Sequence, residues 1–426
     1  METTTDIQPL GYLPLIRQNP DYRNLWLGQV VSLLGDWFNL IASATLIAAL
    51  TRSGFAVGGL FIVRMLSQFL MGPFGGVLAD RFNRKSILIV SDLMRAVIVL
   101  GFLLVRDAGD VWLLYTLTAL QLGVSGIFIP TKDAILPDIV SEQELGAANA
   151  LNATTWSTML ALGAALGGVV AGQWGLAPSF IIDSLTFIVS AALIWRINYP
   201  TGTGMGKSAS GPVQVFRQYF DGMRYLLQNG HIFILAVQKA SMALAVSSMF
   251  SILQVEIASR VFVLGEGGST SLGLFYASVG VGTGVSPILA RYFTRDQEPR
   301  LRVAIAWGYL ITGVGMLIVS SLMNFGMVLF GAFLRGFGVA IVWVFSTQLL
   351  LEKLPNRIRG RVFGTEYALF TLMNALGAAV GGALMDRLQL GIPQMIWGMT
   401  ALLLVLGALW LAFGLKGQRF ELQVES

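Results

Sequence analysis

GVLADRFNRK, residues 76–85, places five charged or amide side chains in one short turn between two long apolar segments. The rest of the chain is poor in charge: 55% of the 426 residues are hydrophobic and 12% are charged. A soluble domain carries about 25% charged residues. A polar turn between such apolar segments is typical of a connection between two helices that cross a membrane. The sequence therefore predicts a membrane protein.

Apolar stretches recur from Asn24 to Leu415, and about twelve of them reach the roughly 20 residues that a bilayer-crossing helix needs. Lipid offers no partner for backbone N–H and C=O groups, and the stretches are too long and too evenly apolar for barrel strands. We therefore predict an all-α membrane protein with twelve transmembrane helices in two six-helix bundles. The predicted helices, 1 to 12 in chain order, cover residues 24–50, 55–79, 86–105, 111–132, 146–172, 177–196, 231–259, 271–292, 302–321, 324–350, 360–385 and 393–415.

Lys and Arg are unevenly divided between the two sides of the predicted bundle. About 20 fall in the N-terminal segment, the even-to-odd connections and the C-terminal tail, and about 4 in the odd-to-even connections. By the positive-inside rule both termini are cytoplasmic. Residues 1–23 lack the basic and apolar regions of a cleaved signal peptide. We expect a multi-pass protein of the bacterial inner (plasma) membrane, whose net charge of +5 reflects its loops and not nucleic-acid binding.

The longest connection, residues 197–230, lies near the chain midpoint and separates six predicted helices from six. Its first part is rich in Gly, Ser and Thr, and its second part is basic and amphipathic. This composition predicts a flexible linker followed by an interfacial helix. We therefore divide the chain into an N-terminal six-helix bundle (1–196), a cytoplasmic linker with an amphipathic helix (197–230) and a C-terminal six-helix bundle (231–426).

Two segments repeat across this linker. Leu78–Arg84 matches Leu289–Arg295, and Leu162–Gly168 matches Leu376–Gly382, at offsets of about 211 and 214 residues. Six helices return the chain to its starting side, so the two copies have the same orientation. Such copies pack about an axis along the membrane normal, with a cavity between them at mid-depth.

The turn at 76–85 resembles the signature loop of the major facilitator superfamily, whose pattern is Gly-x-x-x-Asp-Arg-x-Gly-Arg-Arg/Lys. Asn83 stands where the family has glycine, and Asn tolerates left-handed backbone geometry better than most residues. The resemblance covers the whole chain, and it implies the family's two-bundle fold and transport by alternating access. The matching residues are Gly76, Asp80, Arg81, Arg84 and Lys85.

Further segments resemble a branch of exporters that includes macrolide efflux proteins and the enterobactin exporter. Helix 5 partly matches the glycine-rich antiporter motif, although Ala164 replaces the motif's proline. This branch implies export of a drug-like or siderophore-like compound. The matching segments are Arg23–Trp26, Ser32–Asp36, Ser91–Arg95, Pro130–Lys132, Leu136–Asp138 and Ile182–Phe187.

The resemblance also implies a conformational gate at the 76–85 turn. The loop's acidic residue, here Asp80, is expected to dock against the N-terminal end of helix 11, near Gly360, only when the cytoplasmic side is closed, since a helix N-terminus favours an anion. Asp92 and Arg95 lie one turn apart on helix 3, and we expect them to join the loop charges in one cytoplasmic network. The predicted gate residues are Gly76, Asp80, Arg81, Arg84, Lys85, Asp92 and Arg95.

Few ionisable side chains lie inside the predicted helices, and each costs about 2.5–3.5 kcal/mol at the bilayer centre, so each requires a partner, water or a function. Asp36 lies about 18 Å beyond Asn24 along helix 1, near mid-depth. We expect Asp36 to exchange protons or to bind a cationic substrate. The alternative is an ion pair with Arg64, at similar depth on helix 2.

The second half of the chain carries further candidates. Arg335 and Glu366 form the predicted matching pair on helices 10 and 11, and Glu366, about 9 Å into its helix, is assigned to gating or structural pairing. Lys239 on helix 7 either faces an anionic substrate or extends to the inner interface, and the second interpretation is favoured. Asp183 on helix 6 is assigned to packing. The predicted substrate and proton residues are Asp36, Arg64, Lys239, Arg335 and Glu366.

The chain contains no cysteine and one histidine, which excludes a thiol nucleophile and any thiolate or His-cluster metal site. We predict neither enzyme activity nor a cofactor. We expect a monomeric secondary transporter, surrounded by membrane lipids, that exports an amphiphilic small molecule by alternating access in exchange for protons. Two alternatives stay open: a lipid or lysophospholipid transporter of the same fold, and a non-transporting membrane sensor or scaffold.

Overall fold

The computed structural model describes residues 12–199, 212–388 and 390–414, and nearly all of these residues are helical. Within these ranges, twelve helices are long and apolar enough to cross a membrane. The predicted all-α fold with twelve membrane-crossing helices is confirmed, with helix ends shifted by a few residues. The helices, numbered α1–α12, are Pro20–Thr51, Gly54–Arg81, Arg84–Leu104, Ala108–Ile139, Gln143–Trp174, Leu176–Trp195, Gly230–Val261, Glu266–Thr294, Glu298–Ser320, Phe325–Lys353, Ile358–Leu388 and Ile392–Ala412.

Several helices begin where a side chain can cap the first turn. The Asn19 and Ser53 side chains accept hydrogen bonds from the amide three residues on, at 2.9 and 3.1 Å, and start α1 and α2. Such a cap replaces the partner that the first backbone amides of a helix lack. Asn83 caps α3 in the same way, at 3.0 Å, with an extended backbone at φ −62°. The prediction that Asn83 serves left-handed geometry is therefore wrong, because the residue is a helix cap.

The packing of α1–α6, the first half, repeats in α7–α12, the second half. In the first half α2 packs on α4, α3 on α4 and α6, and α1 on α5. In the second half α8 packs on α10, α9 on α10 and α12, and α7 on α11. Two copies of one six-helix unit give this pattern. Between the halves, the main contacts join α2 to α11 and α5 to α8.

The two ends of the bundle are named here by the chain termini. The terminal face carries the start of α1, the α2–α3 turn and the end of α12, whereas the opposite face carries the α1–α2, α7–α8 and α11–α12 connections. Near the opposite face one buried apolar cluster includes Ile41 and Phe61 of the first half together with Ile252 and Leu272 of the second. The halves therefore share an apolar core on that side.

A further helix, Pro212–Gln228, lies in the predicted linker, whose residues 200–211 fall outside the described ranges. This helix packs along α11, where Asp221 forms an ion pair with Arg361 at 3.5 Å. Its Leu226 is buried in the apolar core of the second half. The linker helix is thus docked on the second half.

Candidate substrate and proton site

Three carboxylates and two guanidiniums of the first half form one cluster, the first-half charge cluster. Asp92 and Asp183 are fully buried, and Arg95 is nearly so. Asp36 is attracted by Arg95 and Arg64, while Asp183 is repelled by Asp36 and attracted by the same two cations. These interactions bring α1, α2, α3 and α6 together through charged side chains.

Arg95 lies at the centre of this cluster. Its guanidinium contacts the Asp92 carboxylate, donates to the Ser125 hydroxyl at 3.4 Å and lies 4.2 Å from the centre of the Phe187 ring. The prediction that Asp92 and Arg95 join the charges of the 76–85 turn is therefore wrong. A helix rises about 1.5 Å per residue, which carries Arg95 about 17 Å along α3 from Arg84 and into the bundle.

Asp36 is half-buried on α1 and accepts a hydrogen bond of 3.5 Å from the Gln121 amide of α4. Arg64 attracts Asp36, as predicted from their similar depth. It also interacts electrostatically with Asp183 and with Tyr276 of α8. The Nη1 atom of Arg64 has no hydrogen-bond partner among the described residues. Arg64 therefore connects the first-half charge cluster electrostatically to the second half.

Asp183 is sealed between α1 and α6. A Cβ atom added to Gly35 would lie 3.1 Å from the Asp183 Cα, so the two helices approach closely at this position. Neither carboxylate oxygen of Asp183 makes a hydrogen bond within the described residues, although Asn39 is a polar neighbour. The sequence predicts a packing role for Asp183 and carries no signal that places it beside Asp36.

The second half contains a buried ion pair between α7 and α11. Lys239 Nζ lies 3.0 Å from Glu366 Oε2 and 4.7 Å from the centre of the Trp343 ring. Two predictions are therefore wrong: Lys239 does not extend to the interface, and Glu366 pairs with Lys239 instead of Arg335. A buried charge requires a partner of opposite sign, and Glu366, eight residues after the start of α11, meets the lysine and not the arginine.

Arg335 on α10 is 7% exposed and has a different environment. Its guanidinium lies 4.2 Å from the centre of the Phe250 ring, and its Nε atom has no hydrogen-bond partner in the described ranges. The titratable group that interacts electrostatically with Arg335 is Tyr276, which also interacts with Arg64. Tyr276 is not predicted from the sequence, because one tyrosine in an apolar helix carries no distinguishing signal.

The 76–85 turn is anchored within the first half. Arg84 is buried, and its Nη1 donates to the Asp138 carboxylate at 2.6 Å and to the Ala134 carbonyl at 2.9 Å. The Tyr199 hydroxyl donates to the same carboxylate at 2.7 Å. Burial, together with the Asp138 carboxylate, raises the pKa of Tyr199 to about 12, so this phenol remains a donor at neutral pH. Lys85 donates to the Ile197 carbonyl at 2.8 Å.

The other residues of the turn face open space. Arg81 is exposed, and Asp80 approaches Arg84 at 3.9 Å with about a third of its side chain exposed. A Cβ atom added to Gly76, or to Gly360 on α11, would meet nothing within 4 Å. The predicted docking of Asp80 near Gly360, which requires a closed terminal face, is not made in this structure.

At the opposite face, the end of α11 caps the start of α2. The Asp386 carboxylate accepts hydrogen bonds from the Ser53 hydroxyl at 2.5 Å and from the Gly54 and Phe55 amides at 3.0 and 3.2 Å. Nearby, Arg260 of α7 donates to the Arg52 carbonyl at 2.7 Å. We call the Asp386 contacts the Asp386 latch. The latch is not predicted from the sequence, since Asp386 resembles an ordinary charge at a helix end.

The α5–α8 contact is also tight toward the opposite face and opens toward the terminal face. A Cβ atom added to Gly168 would lie 2.7 Å from the Gly273 Cα, whereas one added to Gly284, nearer the terminal face, would lie 3.8 Å from the nearest atom, on Ser157. Trp343 and Tyr367, inside α10 and α11, remain 38% and 46% exposed. The halves are therefore joined at the opposite face and separated near the terminal face.

Twelve apolar helices packed as two similar halves, with buried charges between and within them, define a polytopic membrane protein of the transporter type. The model of the Major Facilitator Superfamily matches residues 25–365. The chain belongs to this family.

Relatives and solved structures agree with this family. The chain is 25% identical to the MFS-type transporter YfiS of Bacillus subtilis (strain 168), over 93% of this chain and 94% of that protein. It is 21% identical to the macrolide efflux protein A of Streptococcus pyogenes, over 86% and 90% of the two chains. The crystal structure of a bacterial homologue of the iron transporter ferroportin, in an inward-facing state, matches with a TM-score of 0.71, 15% identity and coverage of 92% and 98%. The predicted family is confirmed, and the protein is a multi-pass membrane transporter.

Proposed function

We propose that this protein exports an amphiphilic small molecule across the bacterial inner membrane by alternating access, in exchange for protons. The observation that carries the proposal is the uneven contact between the halves. They are latched and tightly packed at the opposite face, while Gly76 and Gly360 border open space at the terminal face. Alternating access requires two states, each closed at one face and open at the other. The uneven contact between the halves corresponds to one of these states. With both termini in the cytoplasm, as the charge bias predicts, this state faces inward.

The buried charges support an ion-coupled mechanism. Ionisable residues inside transmembrane segments commonly form substrate paths and proton relays. Asp36 is half-buried, lies beside Asp183 and interacts with two cations, so a change in its proton occupancy alters the charge of the whole first-half charge cluster. We assign proton exchange to Asp36, with Gln121 positioning its carboxylate.

Aromatic side chains support an amphiphilic cargo. Trp343 and Tyr367 are partly exposed beside Phe370, with the Trp343 and Phe370 ring centres 5.0 Å apart. Phe69 of α2 lies 6.4 Å from Tyr367 across the halves. A wall of adaptable apolar surface with a few polar groups is typical of small-molecule sites. The export direction rests on the relative named as a macrolide efflux protein.

The test is transport by the purified protein in proteoliposomes. Erythromycin and ethidium serve as amphiphilic probes, and an internal pH dye reports proton movement. We expect probe flux against its gradient when a pH gradient is imposed, with proton flux in the opposite direction. Asp36→Asn should reduce the pH-driven probe flux at least tenfold. The variant should retain exchange of the probe across the membrane at equilibrium. Asp133→Asn, whose carboxylate is 62% exposed, is the matched control and should behave as wild type.

Two outcomes contradict the proposal. Full pH-driven flux by Asp36→Asn excludes Asp36 as the proton carrier. Absence of flux for every probe, with or without a pH gradient, contradicts the exporter assignment.

A second candidate, lipid or lysophospholipid transport, is favoured by one observation. Arg335 carries a buried guanidinium for which the described residues provide no hydrogen-bonded carboxylate, and anionic head groups suit such a cation. Flipping of a fluorescent lysophospholipid in the same proteoliposomes, without movement of erythromycin or ethidium, would favour this candidate.

A further inference from the structure

Three hydrogen-bond donors, one in the first half and two in the second, have no partner within the described part of the chain. They are Nη1 of Arg64 on α2, the hydroxyl of Tyr276 on α8 and Nε of Arg335 on α10. Each atom is buried and makes no hydrogen bond within the described residues, although the Ser251 hydroxyl is a polar neighbour of the Tyr276 hydroxyl. The Tyr276 side chain interacts electrostatically with both guanidiniums, one from each half.

Backbone packing holds two of these donors together. A Cβ atom added to Gly336 would lie 3.0 Å from the Val279 Cα, so α10 and α8 touch at this level. Arg335 precedes Gly336 by one residue, and Tyr276 lies one helical turn before Val279. Both residues therefore lie within about one helical turn of the α8–α10 contact.

Among the described residues, Arg335 differs from the other buried cations, each of which has a carboxylate partner. Arg95 contacts Asp92, and Lys239 is paired with Glu366. Arg335 rests on the face of Phe250, and the titratable group that acts on it is a neutral phenol. Burying a charge without a partner costs several kcal/mol in real proteins, so the position is explained if an anion from outside the chain completes it.

We propose that Arg335, Tyr276 and Arg64 form an anion subsite that binds a carboxylate or phosphate group of the transported amphiphile. The inference rests on the proposed transport function for the identity of its ligand. A guanidinium matches the geometry of carboxylate and phosphate oxygens. Trp37, which is partly exposed and whose ring centre lies 5.5 Å from that of Tyr276, provides apolar surface for the rest of the molecule.

The subsite and the proton carrier use different residues. Arg64 is shared with the carboxylates of Asp36 and Asp183, whereas Arg335 is not. A basic group on the substrate would compete with the proton at Asp36, while an anionic group occupies Arg335. A substrate that carries a basic and an anionic group would thus interact with Asp36 in the first half and with Arg335 in the second. Proton exchange at Asp36 would still be possible.

The test is equilibrium binding in nanodiscs of phosphatidylcholine, read by intrinsic tryptophan fluorescence. The probes are N-dodecanoylglycine, which has a free carboxylate, and its methyl ester, which partitions into lipid at least as well. We expect wild type to bind the acid at least tenfold more tightly than the ester. Arg335→Gln should reduce this preference about tenfold, Tyr276→Phe by a smaller factor, and Arg335→Lys should retain part of it.

The control is Arg295→Gln, which removes an exposed arginine at the end of α8 and should leave the preference unchanged. Unaltered ester binding shows that Arg335→Gln is folded. The proposal is overturned if wild type does not prefer the acid, or if Arg335→Gln keeps the full preference.

A second probe identifies the source of the anion. Dodecanoyl lysophosphatidic acid presents a lipid phosphate in place of the soluble carboxylate, and loss of its binding in Arg335→Gln supports the subsite equally. Failure of the exporter proposal is separable from failure of the subsite. Proteoliposomes without flux, together with an acid preference that depends on Arg335, would remove the exporter function and leave the subsite standing.

Discussion

At the scale of single residues, the buried charges of the two halves are satisfied in different ways. The Lys239–Glu366 pair is local, with one ion contact at 3.0 Å under the Trp343 ring. The first-half charge cluster shares its charges among several side chains, and both oxygens of Asp183 have no hydrogen bond within the described part of the chain. The first arrangement suits structural pairing, and the second suits a change of protonation.

We predict that Lys239→Met and Glu366→Gln each lower the free energy of unfolding by about 3 kcal/mol, because removing one partner leaves the other buried and unpaired. The double variant should lose less than the sum of the two losses, since no lone charge remains. Unfolding in mixed micelles of increasing dodecyl sulfate content measures each value. Glu352→Gln, an exposed position, is the control. Additive losses in the double variant would show that the pair is not coupled.

At the scale of helices, glycines decide how closely the halves approach. Gly168 on α5 and Gly273 on α8 bring two backbones together near the opposite face. Gly146, on the same helix α5 but near the terminal face, has nothing within 4 Å of an added Cβ. Small residues at helix contacts allow this close packing in membranes. The two positions therefore form a matched pair for an experiment.

We predict that Gly168→Val opens the opposite face and that Gly146→Val does not. The chain has no cysteine, so spin labels can be placed solely at introduced cysteines. Arg106→Cys and Met323→Cys label exposed loops of the two halves at the opposite face. Electron–electron distance measurement should give a longer label separation for Gly168→Val. Equal distances in both valine variants would exclude this role for the α5–α8 contact.

At the scale of the whole molecule, two acidic residues are positioned to bias opposite states. Asp386 caps α2 at the closed opposite face in this structure. Asp80 is partly exposed, and family resemblance assigns it to the N-terminal end of α11 in the reverse state. An anion at a helix N-terminus is stabilising in both cases. We therefore predict that the two residues act as reciprocal latches on the two faces.

We predict that Asp386→Ala shifts the population away from this state by about tenfold, because a charged helix cap contributes about 1–2 kcal/mol. Asp80→Asn should shift the population toward this state. The same label pair measures both shifts, as a longer and a shorter mean distance, and both variants should transport more slowly. Asp133→Asn serves as the control. Shifts in the same direction for the two variants would contradict reciprocal latching.

The sequence by itself determined the class, the helix count and the family of this protein. Those features depend on hydrophobic length and on one local motif, and both are written along the chain. Asp36 and Arg64 were also recognised as a mid-membrane pair, because depth follows from the rise per residue of a helix.

Tertiary structure alone decided which charges meet. It placed Arg95 and Asp183 with Asp36, paired Lys239 with Glu366, left Arg335 beside Tyr276 and set Asp386 against α2. The physical reason is that depth along a helix can be read from sequence, whereas the direction in which a side chain points toward a neighbour depends on helix rotation and on close contacts at glycines.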